Sequence, residues 1–337
     1  MKGGRYAIMA LALPLAAGAA PALPSASALP AQHISRMADA GVVKSARQIN
    51  PTTIEVLYQD GKMLTLDFYG ANIVRLFRDD QGGILRDPVA SPPAQILVDN
   101  ARRYPGSVVL QDGAQAVTAT TDKVALSINK STGLLTLTNR STGEVVVQEL
   151  LPAQLGEKST TLTFAAAADE YFYGGGVQNG RFSHKGKSIA IVNTNNWVDG
   201  GVASPTPFYW STKGYGVMWH TFRPGRYDFG GTEEGKVTIT HNEKYLDVFL
   251  MADETPVGLL NDFYQLTGNP VLLPKFCFYQ GHLNAYNRDY WTPAENGFML
   301  YEDGKRYNES QKDNGGAKES LNGEKNYQFS ARAAIDR

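Results

Sequence analysis

The residues that first suggest chemistry run from Glu170 to Ser188, EYFYGGGVQNGRFSHKGKS. Glycines followed by Gly-Lys-Ser are the material of a phosphate cradle, in which backbone N–H groups at a helix N-terminus hold the anion. The spacing argues against that use. A dinucleotide fingerprint needs G-x-G-x-x-G, and Asn179 stands where the third glycine belongs. A P-loop has four residues before its Gly-Lys-Ser, whereas residues 181–185 separate Gly180 from Gly186. Ser188 also leads into Ile189-Ala190-Ile191-Val192, a strand pattern and not a helix. Gly174 to Gly176 are therefore expected to form a bulge or sharp bend where the backbone comes close to something else.

A second stretch has binding chemistry. Asn193-Thr194-Asn195-Asn196-Trp197-Val198-Asp199-Gly200-Gly201 combines amides, a carboxylate and an indole. Amides and carboxylates make bidentate hydrogen bonds to sugar hydroxyls, and an indole face suits the apolar face of a pyranose. The same composition describes an Asn/Gly-rich turn around a packed Trp, and composition alone favours the turn. The adjacent carboxylates Asp169-Glu170, Glu233-Glu234 and Asp253-Glu254 are expected to be solvated. His33, His184, His220, His241 and His282 show no metal-ligand spacing. No H-E-x-x-H or G-x-S-x-G is present, and His184 and His220 have no evident partner. The residues assign no catalytic group, metal or cofactor.

The elements that must position these residues read mainly as strands. The 337 residues carry a net charge of -1, which does not suggest nucleic acid as a partner. Thr52 to Tyr58 alternates, Asp60-Gly61 is a hairpin dipeptide, and Met63 to Tyr69 is its return strand. Short alternating runs continue through Asn72–Phe77, Val124–Ile128, Leu135–Leu137, Val145–Val147, Ile189–Val192, Pro207–Trp210, Gly216–Phe222, Val237–Thr240 and Tyr245–Leu250. This spacing predicts an antiparallel β-sandwich. Thr255-Pro256 then opens a helix with Val257, Leu260, Phe263 or Tyr264, and Leu266 on one face, closed by Gly268. Val271 to Tyr279 is continuously apolar, as in a parallel strand buried on both faces. Glu302 to Asn326 is polar and reads as a loop or tail.

The N-terminus reads as a secretory signal. Lys2 and Arg5 precede an alanine-rich run, and Ala26-Ser27-Ala28 offers a cleavage site, with cleavage after Ala20 also open. No later segment is long and apolar enough to cross a membrane. Cys277 is the only cysteine, so no intramolecular disulfide forms and no lipobox cysteine follows the signal. The expected location is periplasmic or secreted.

Phe172-Tyr173-Gly174-Gly175-Gly176, Asn193-Thr194-Asn195, Pro207-Phe208-Tyr209 and Gly214-Tyr215-Gly216-Val217, in that order, resemble glycoside hydrolase family 31. So do Asn72-Ile73-Val74-Arg75 and the join from Tyr264 to Lys275. The resemblance implies a galactose-mutarotase-like β-sandwich, a linking helix and the first strand of a (β/α)8 barrel. The implied divisions are a signal over 1–28, the sandwich over 29–252, the linking helix over 253–270 and a truncated barrel start over 271–337. It also implies a retaining α-glycosidase of α-glucosidase, α-galactosidase or α-N-acetylgalactosaminidase type. Gln178 to His184 and Asn308 to Glu324 resemble enzymes acting on galacto-configured linkages.

In such enzymes a sandwich loop reaches over the barrel mouth, and Asn193–Ser204 matches it. On that match Asn195, Asn196, Trp197 and Asp199 become substrate-binding candidates. Asn195 stands where many members carry an aspartate. Tyr279, His282 and Asn284, on the expected barrel strand, are further candidates. The family's two catalytic aspartates lie further along the barrel than this chain is expected to reach, so the missing barrel portion is the implied partner and an oligosaccharide or glycoside the implied substrate. A stand-alone sugar-binding sandwich and a mutarotase-like isomerase are the alternatives.

Overall fold

The computed structural model describes residues 41–79, 85–194, 200–274, 291–298 and 304–309. The expected signal segment lies outside them. The chain divides into two units, Met1–Asn269 and Pro270–Arg337.

The first unit opens with strands β1 (Val43–Asn50), β2 (Thr53–Tyr58), β3 (Met63–Gly70), β4 (Ile73–Arg78), β5 (Val109–Asp112) and β6 (Ala116–Thr120). It continues with β7 (Val124–Asn129), β8 (Leu135–Asn139), β9 (Val145–Leu155), β10 (Thr160–Ala165), β11 (Phe172–Gln178) and β12 (Ser188–Ile191). Then come β13 (Val202–Ser211), β14 (Tyr215–Trp219), β15 (Gly225–Phe229), β16 (Lys236–His241), β17 (Leu246–Ala252) and helix α1 (Pro256–Thr267). One sheet has eight strands in the order β1-β2-β3-β4-β17-β14-β13-β11. The other has nine, in the order β12-β15-β16-β10-β9-β8-β7-β6-β5. Every recorded pairing is antiparallel, so the expected sandwich is present.

The alternation of the strands explains the first core. Ile54, Val56, Leu66, Phe68, Val74 and Leu76 point inward from the eight-stranded sheet. Val117, Leu126, Leu137, Leu162, Val237 and Ile239 meet them from the nine-stranded sheet. A second core lies on the opposite side of the eight-stranded sheet. There Tyr69, Ile73, Phe208, Met218, Phe249 and Met251 pack with Leu259 and Leu266 of α1. Ile96, Leu97 and Val98 close over the same cluster. This third layer explains why β4 and β17 are buried along their whole length. Burial along a whole strand here marks a covered antiparallel sheet, and the Arg75 and Asp247 that interrupt the apolar residues pair with each other.

Helix α1 begins as expected. Thr255 accepts from the Gly258 N–H, Pro256 takes the first helical position, and the Gly268 N–H donates to the Tyr264 carbonyl. Its apolar face differs from the expected one. Val257 is 66% exposed, and the buried residues are Leu259 and Leu266. At about 100° per residue, Val257 lies roughly 160° around the helix from Leu259. Leu260 and Phe263 form the flank of the true face, with the Phe263 ring stacked on Phe208 at 4.3 Å.

Asp262, on the same helix, accepts from Asn72 Nδ2 at 2.7 Å. Burial pushes its carboxyl up to about 7, Asp253 adds to the rise, and the Asn72 hydrogen bond opposes it. The folded state therefore holds a proton that the unfolded chain releases near pH 4, so this group's contribution falls as pH rises from about 4 to about 7. Asp262→Asn is expected to stabilise the domain by on the order of 2 kcal/mol at pH 8 and to leave it nearly unchanged at pH 4. Urea melts at the two pH values check this. An equal change at both would show that charge is not the cause.

In the second unit, residues 271–274 are irregular, and Val271 and Leu272 are 82% and 92% exposed. Among the described residues no strand pairs with residues 271–274, so these four do not test the strand expected from Val271 to Tyr279. Residues 275–290, which hold the rest of that expected strand, lie outside the described residues. β18 (Trp291–Phe298) and β19 (Tyr307–Glu309) form an antiparallel pair. β19 falls inside the polar stretch read as a loop, since pairing with β18 supplies order that its composition does not signal. No helix among the described residues is long and apolar enough to cross a membrane.

Candidate functional site

The glycine run lies in β11, at the edge of the eight-stranded sheet. Gly174, Gly175 and Gly176 have φ of 109°, 77° and 79°. The β11–β13 register slips between Gly174 and Gly176, so the expected bulge is present. A methyl group on Gly174 would lie 2.6 Å from the Phe208 carbonyl oxygen, and one on Gly176 would lie 2.1 Å from that of Ser204. The close neighbour is thus the backbone of β13.

The bend turns the chain toward the other sheet. Gln178 Nε2 donates to the Gly175 carbonyl at 2.9 Å and to the Ala190 carbonyl at 3.1 Å. It thereby ties the end of β11 to β12, an edge strand of the nine-stranded sheet. His184 donates through its backbone N–H to the Phe172 carbonyl. Its Nε2 lies 2.8 Å from the Gly174 carbonyl oxygen. Burial lowers the imidazole's pKa, so the neutral ring donates that bond at neutral pH. Arg181 Nη1 donates to the Ser188 carbonyl at 2.7 Å. The 179–187 turn is therefore pinned to both strands it connects.

The same turn holds the return stem of the loop between β12 and β13. The Gly200 N–H donates to the Asn179 carbonyl at 2.8 Å, and the Asn179 N–H donates to the Gly201 carbonyl at 3.0 Å. Thr194 Oγ1 donates to the Val202 carbonyl at 3.0 Å. The two stems of the loop are therefore held to each other and to the turn. The four candidates at that tip, Asn195, Asn196, Trp197 and Asp199, lie outside the described residues. So do Tyr279, His282 and Asn284.

Aromatic side chains beside the stems escaped sequence reading. Tyr173 and Trp210 are cross-strand partners in β11 and β13, and their rings stack at 4.5 Å. Phe182, at the turn, meets Tyr173 edge-on at 5.6 Å and is 88% exposed. The signal was the alternation itself. In Phe172-Tyr173 and Tyr209-Trp210 one residue faces the core, so its neighbour faces away.

Two sequence expectations need correction. Glu170 is buried and not solvated: it accepts from Ser211 Oγ and from the Ala167 N–H. His220 has a partner, since its Nδ1 lies 2.9 Å from Asp247 Oδ2 with both side chains buried. The partner comes from another strand, 27 residues later, and only folding brings the two together. Among the described residues no group of three or more His, Cys, Asp or Glu is placed to hold a metal ion.

A family model described as the glycosyl hydrolase 31 N-terminal galactose mutarotase-like domain matches residues 63–228. The chain carries the N-terminal domain of glycoside hydrolase family 31. The matched residues run from β3 into β15 and include the bend, the 179–187 turn and both loop stems. Similar curated proteins include alpha-xylosidase A of Aspergillus niger, 36% identical over 80 residues. An alpha-xylosidase of Emericella nidulans is 28% identical over 137 residues. These alignments cover 23% and 39% of this chain, and only 10% and 17% of those relatives.

Solved structures agree on the fold of the family 31 domain. A Flavobacterium johnsoniae GH31 dextranase complexed with isomaltotriose aligns over 77% of this chain and 29% of its own, at TM-score 0.61 and 14% identity. A GH31 alpha-xylosidase from a soil metagenome, complexed with xylose, aligns over 77% and 37%, at TM-score 0.57 and 17% identity.

Proposed function

We propose that this chain is the N-terminal portion of a retaining α-glycosidase and supplies a substrate-pocket loop. The observation that carries the reading is the tie of the loop's return stem, Gly200 and Gly201, to Asn179, with Thr194 of the outgoing stem bonded to Val202, within a family 31 domain. Asn195, Asn196 and Asp199 would bond sugar hydroxyls, and Trp197 would cover a pyranose face. In retaining chemistry one carboxylate attacks the anomeric carbon while a second carboxylic acid protonates the departing oxygen. The second residue then deprotonates the water that releases the sugar. Both carboxyl groups are assigned to a barrel portion beyond this chain. The barrel start over 271–337 belongs to the same proposal. The alpha-xylosidase relatives support an α-xyloside as the first substrate to test, beside α-glucosides, α-galactosides and α-N-acetylgalactosaminides. The signal-like residues 1–28 support a periplasmic or secreted enzyme.

The isomerase alternative needs a His and a Glu on an open cleft. His184 and His220 are both buried and engaged, which disfavours it.

The test uses p-nitrophenyl α-glycosides of the four sugars. The natural polypeptide that includes the barrel portion is expected to hydrolyse at least one, whereas the 337-residue chain alone hydrolyses none. Trp197→Ala in the active polypeptide is expected to raise KM with little change in melting temperature. An unchanged KM with a sharply lower melting temperature would mark Trp197 as core. Turnover by the 337-residue chain that disappears in Asp199→Asn would place catalysis inside the sandwich.

A further inference from the structure

Glu149, in β9, is an acidic residue in the interior of the first unit. Leu137 of β8 pairs with Val147, and alternation puts Val147 and Glu149 on the same inward face. The β9–β10 register slips just beyond, between Glu149 and Leu151, so the carboxyl enters where β9 leaves regular pairing. Its Oε2 accepts from the Leu135 N–H at 2.9 Å. Glu149 lines a cavity of about 20 Å³, room for about one water molecule, with Tyr58, Leu64, Leu76 and Arg78 of the eight-stranded sheet opposite. Arg78 is engaged on its own side of that cavity. Its guanidinium lies 4.2 Å from the centre of the Tyr58 ring and 3.3 Å from Asp60 in the β2–β3 turn. One cation therefore faces two carboxyl groups, one from each side of the sandwich.

We propose that Glu149, Arg78 and Asp60 form a pH-dependent ion-pair switch: Arg78 pairs with Asp60 while Glu149 is neutral, and crosses the cavity to Glu149 when that carboxyl ionises. Burial pushes the Glu149 carboxyl up to about 8, against the opposing Leu135 hydrogen bond and Arg78 charge. It therefore holds its proton at neutral pH and yields it to water above about pH 8. The three groups then pass from no net charge to one negative charge, with two carboxylates competing for one guanidinium. A buried carboxylate without a cation is costly, whereas the Asp60 side chain, 21% exposed, can be solvated instead. Tyr58, from β2, is held neutral because burial raises its phenol well above the ordinary range. The other described residues around the cavity, Gly133, Leu135, Pro152, Ala153 and Leu246 among them, carry no ionisable group. The switch replaces a tie within the eight-stranded sheet by one between the sheets, and it frees the Asp60-Gly61 turn from β4.

The test is a pH titration of the 337-residue chain from about pH 5 to about pH 10, followed by carboxyl-carbon NMR of labelled glutamate and by the Arg78 Nε–H resonance. One glutamate should titrate near pH 8 and be missing in Glu149→Gln. The Arg78 resonance should move with the same midpoint, and stay fixed in Glu149→Gln. Asp60→Asn removes the competing carboxylate while keeping an oxygen to accept the Lys62 N–H. In that variant the Glu149 midpoint should fall by about 1 pH unit or more. The wild-type and Asp60→Asn titrations decide the question even if Glu149→Gln does not fold. Absence of any glutamate titrating above about pH 6 would overturn the switch. So would an Arg78 resonance that stays fixed while Glu149 titrates, or a midpoint unchanged in Asp60→Asn.

Discussion

Asp247→Ala is expected to destabilise the sandwich by about 3–5 kcal/mol, the cost of breaking a buried ion pair by removing one partner. Asp247 sits in β17 with its side chain fully buried. It accepts from Arg75 Nε and Nη2, each at 2.8 Å, and lies 2.9 Å from His220 Nδ1. Arg75 and His220 are themselves almost wholly buried. Arg75 also donates to Tyr69 and to the Arg86 carbonyl, so it ties residue 86 to the sheet. Without Asp247, the buried guanidinium keeps only a 3.5 Å carboxylate contact, to the exposed Asp87, and the buried imidazole loses its carboxylate. Urea unfolding should show the midpoint falling with little change in m, and the melting temperature should drop by roughly 10 °C or more. A shift equivalent to less than about 1 kcal/mol would show that water replaces the carboxylate and that the cluster is not a structural centre. Arg75→Met tests the converse. An apolar stem leaves Asp247 with only His220, and the loss is expected to be of similar size.

Gly176→Ala is expected to cost about 3 kcal/mol or more, from a positive φ and a backbone collision together. Its φ of 79° disfavours any side chain. A methyl there would also lie 2.1 Å from the Ser204 carbonyl oxygen and 2.6 Å from the Thr206 nitrogen. Those are backbone atoms of β13, so relief requires the strand to move. Gly186 is an internal control. Its φ is 67°, yet a methyl there meets nothing within 4 Å. Gly186→Ala should therefore cost only about 1 kcal/mol. Thermal melts of the two variants give the comparison directly. Equal losses would mean that close approach of β13 plays no part. Ser204 follows the loop's return stem, so under the proposed function Gly176→Ala should also raise KM. Gly186→Ala should not.

Most of the sandwich was legible in the chain because exposed strands alternate and their turns carry Gly. Thr53–Tyr58, the Asp60-Gly61 turn and the strand from Met63 appear where the pattern placed them, as do the Thr255-Pro256 start and the Gly268 end of the helix. These are local signals, set by φ preference and by side chains reaching their own backbone. The exclusion of a phosphate site was local too, since Ser188 enters β12 and not a helix.

What the tertiary structure decided depends on partners distant in sequence. The chain alone did not reveal the third layer of Ile96–Val98 and α1, which buries β17 on both faces and turns the helix so that Val257 faces solvent. Glu170 is buried because Ser211 lies beside it, 41 residues later in sequence. Asp247 meets Arg75 across 172 residues, and no local pattern encodes that distance. The residue types that could bind a sugar were readable from composition. The Tyr173–Trp210 stack and the tie of Gly200 and Gly201 to Asn179 depend on β11 bending at three glycines against β13.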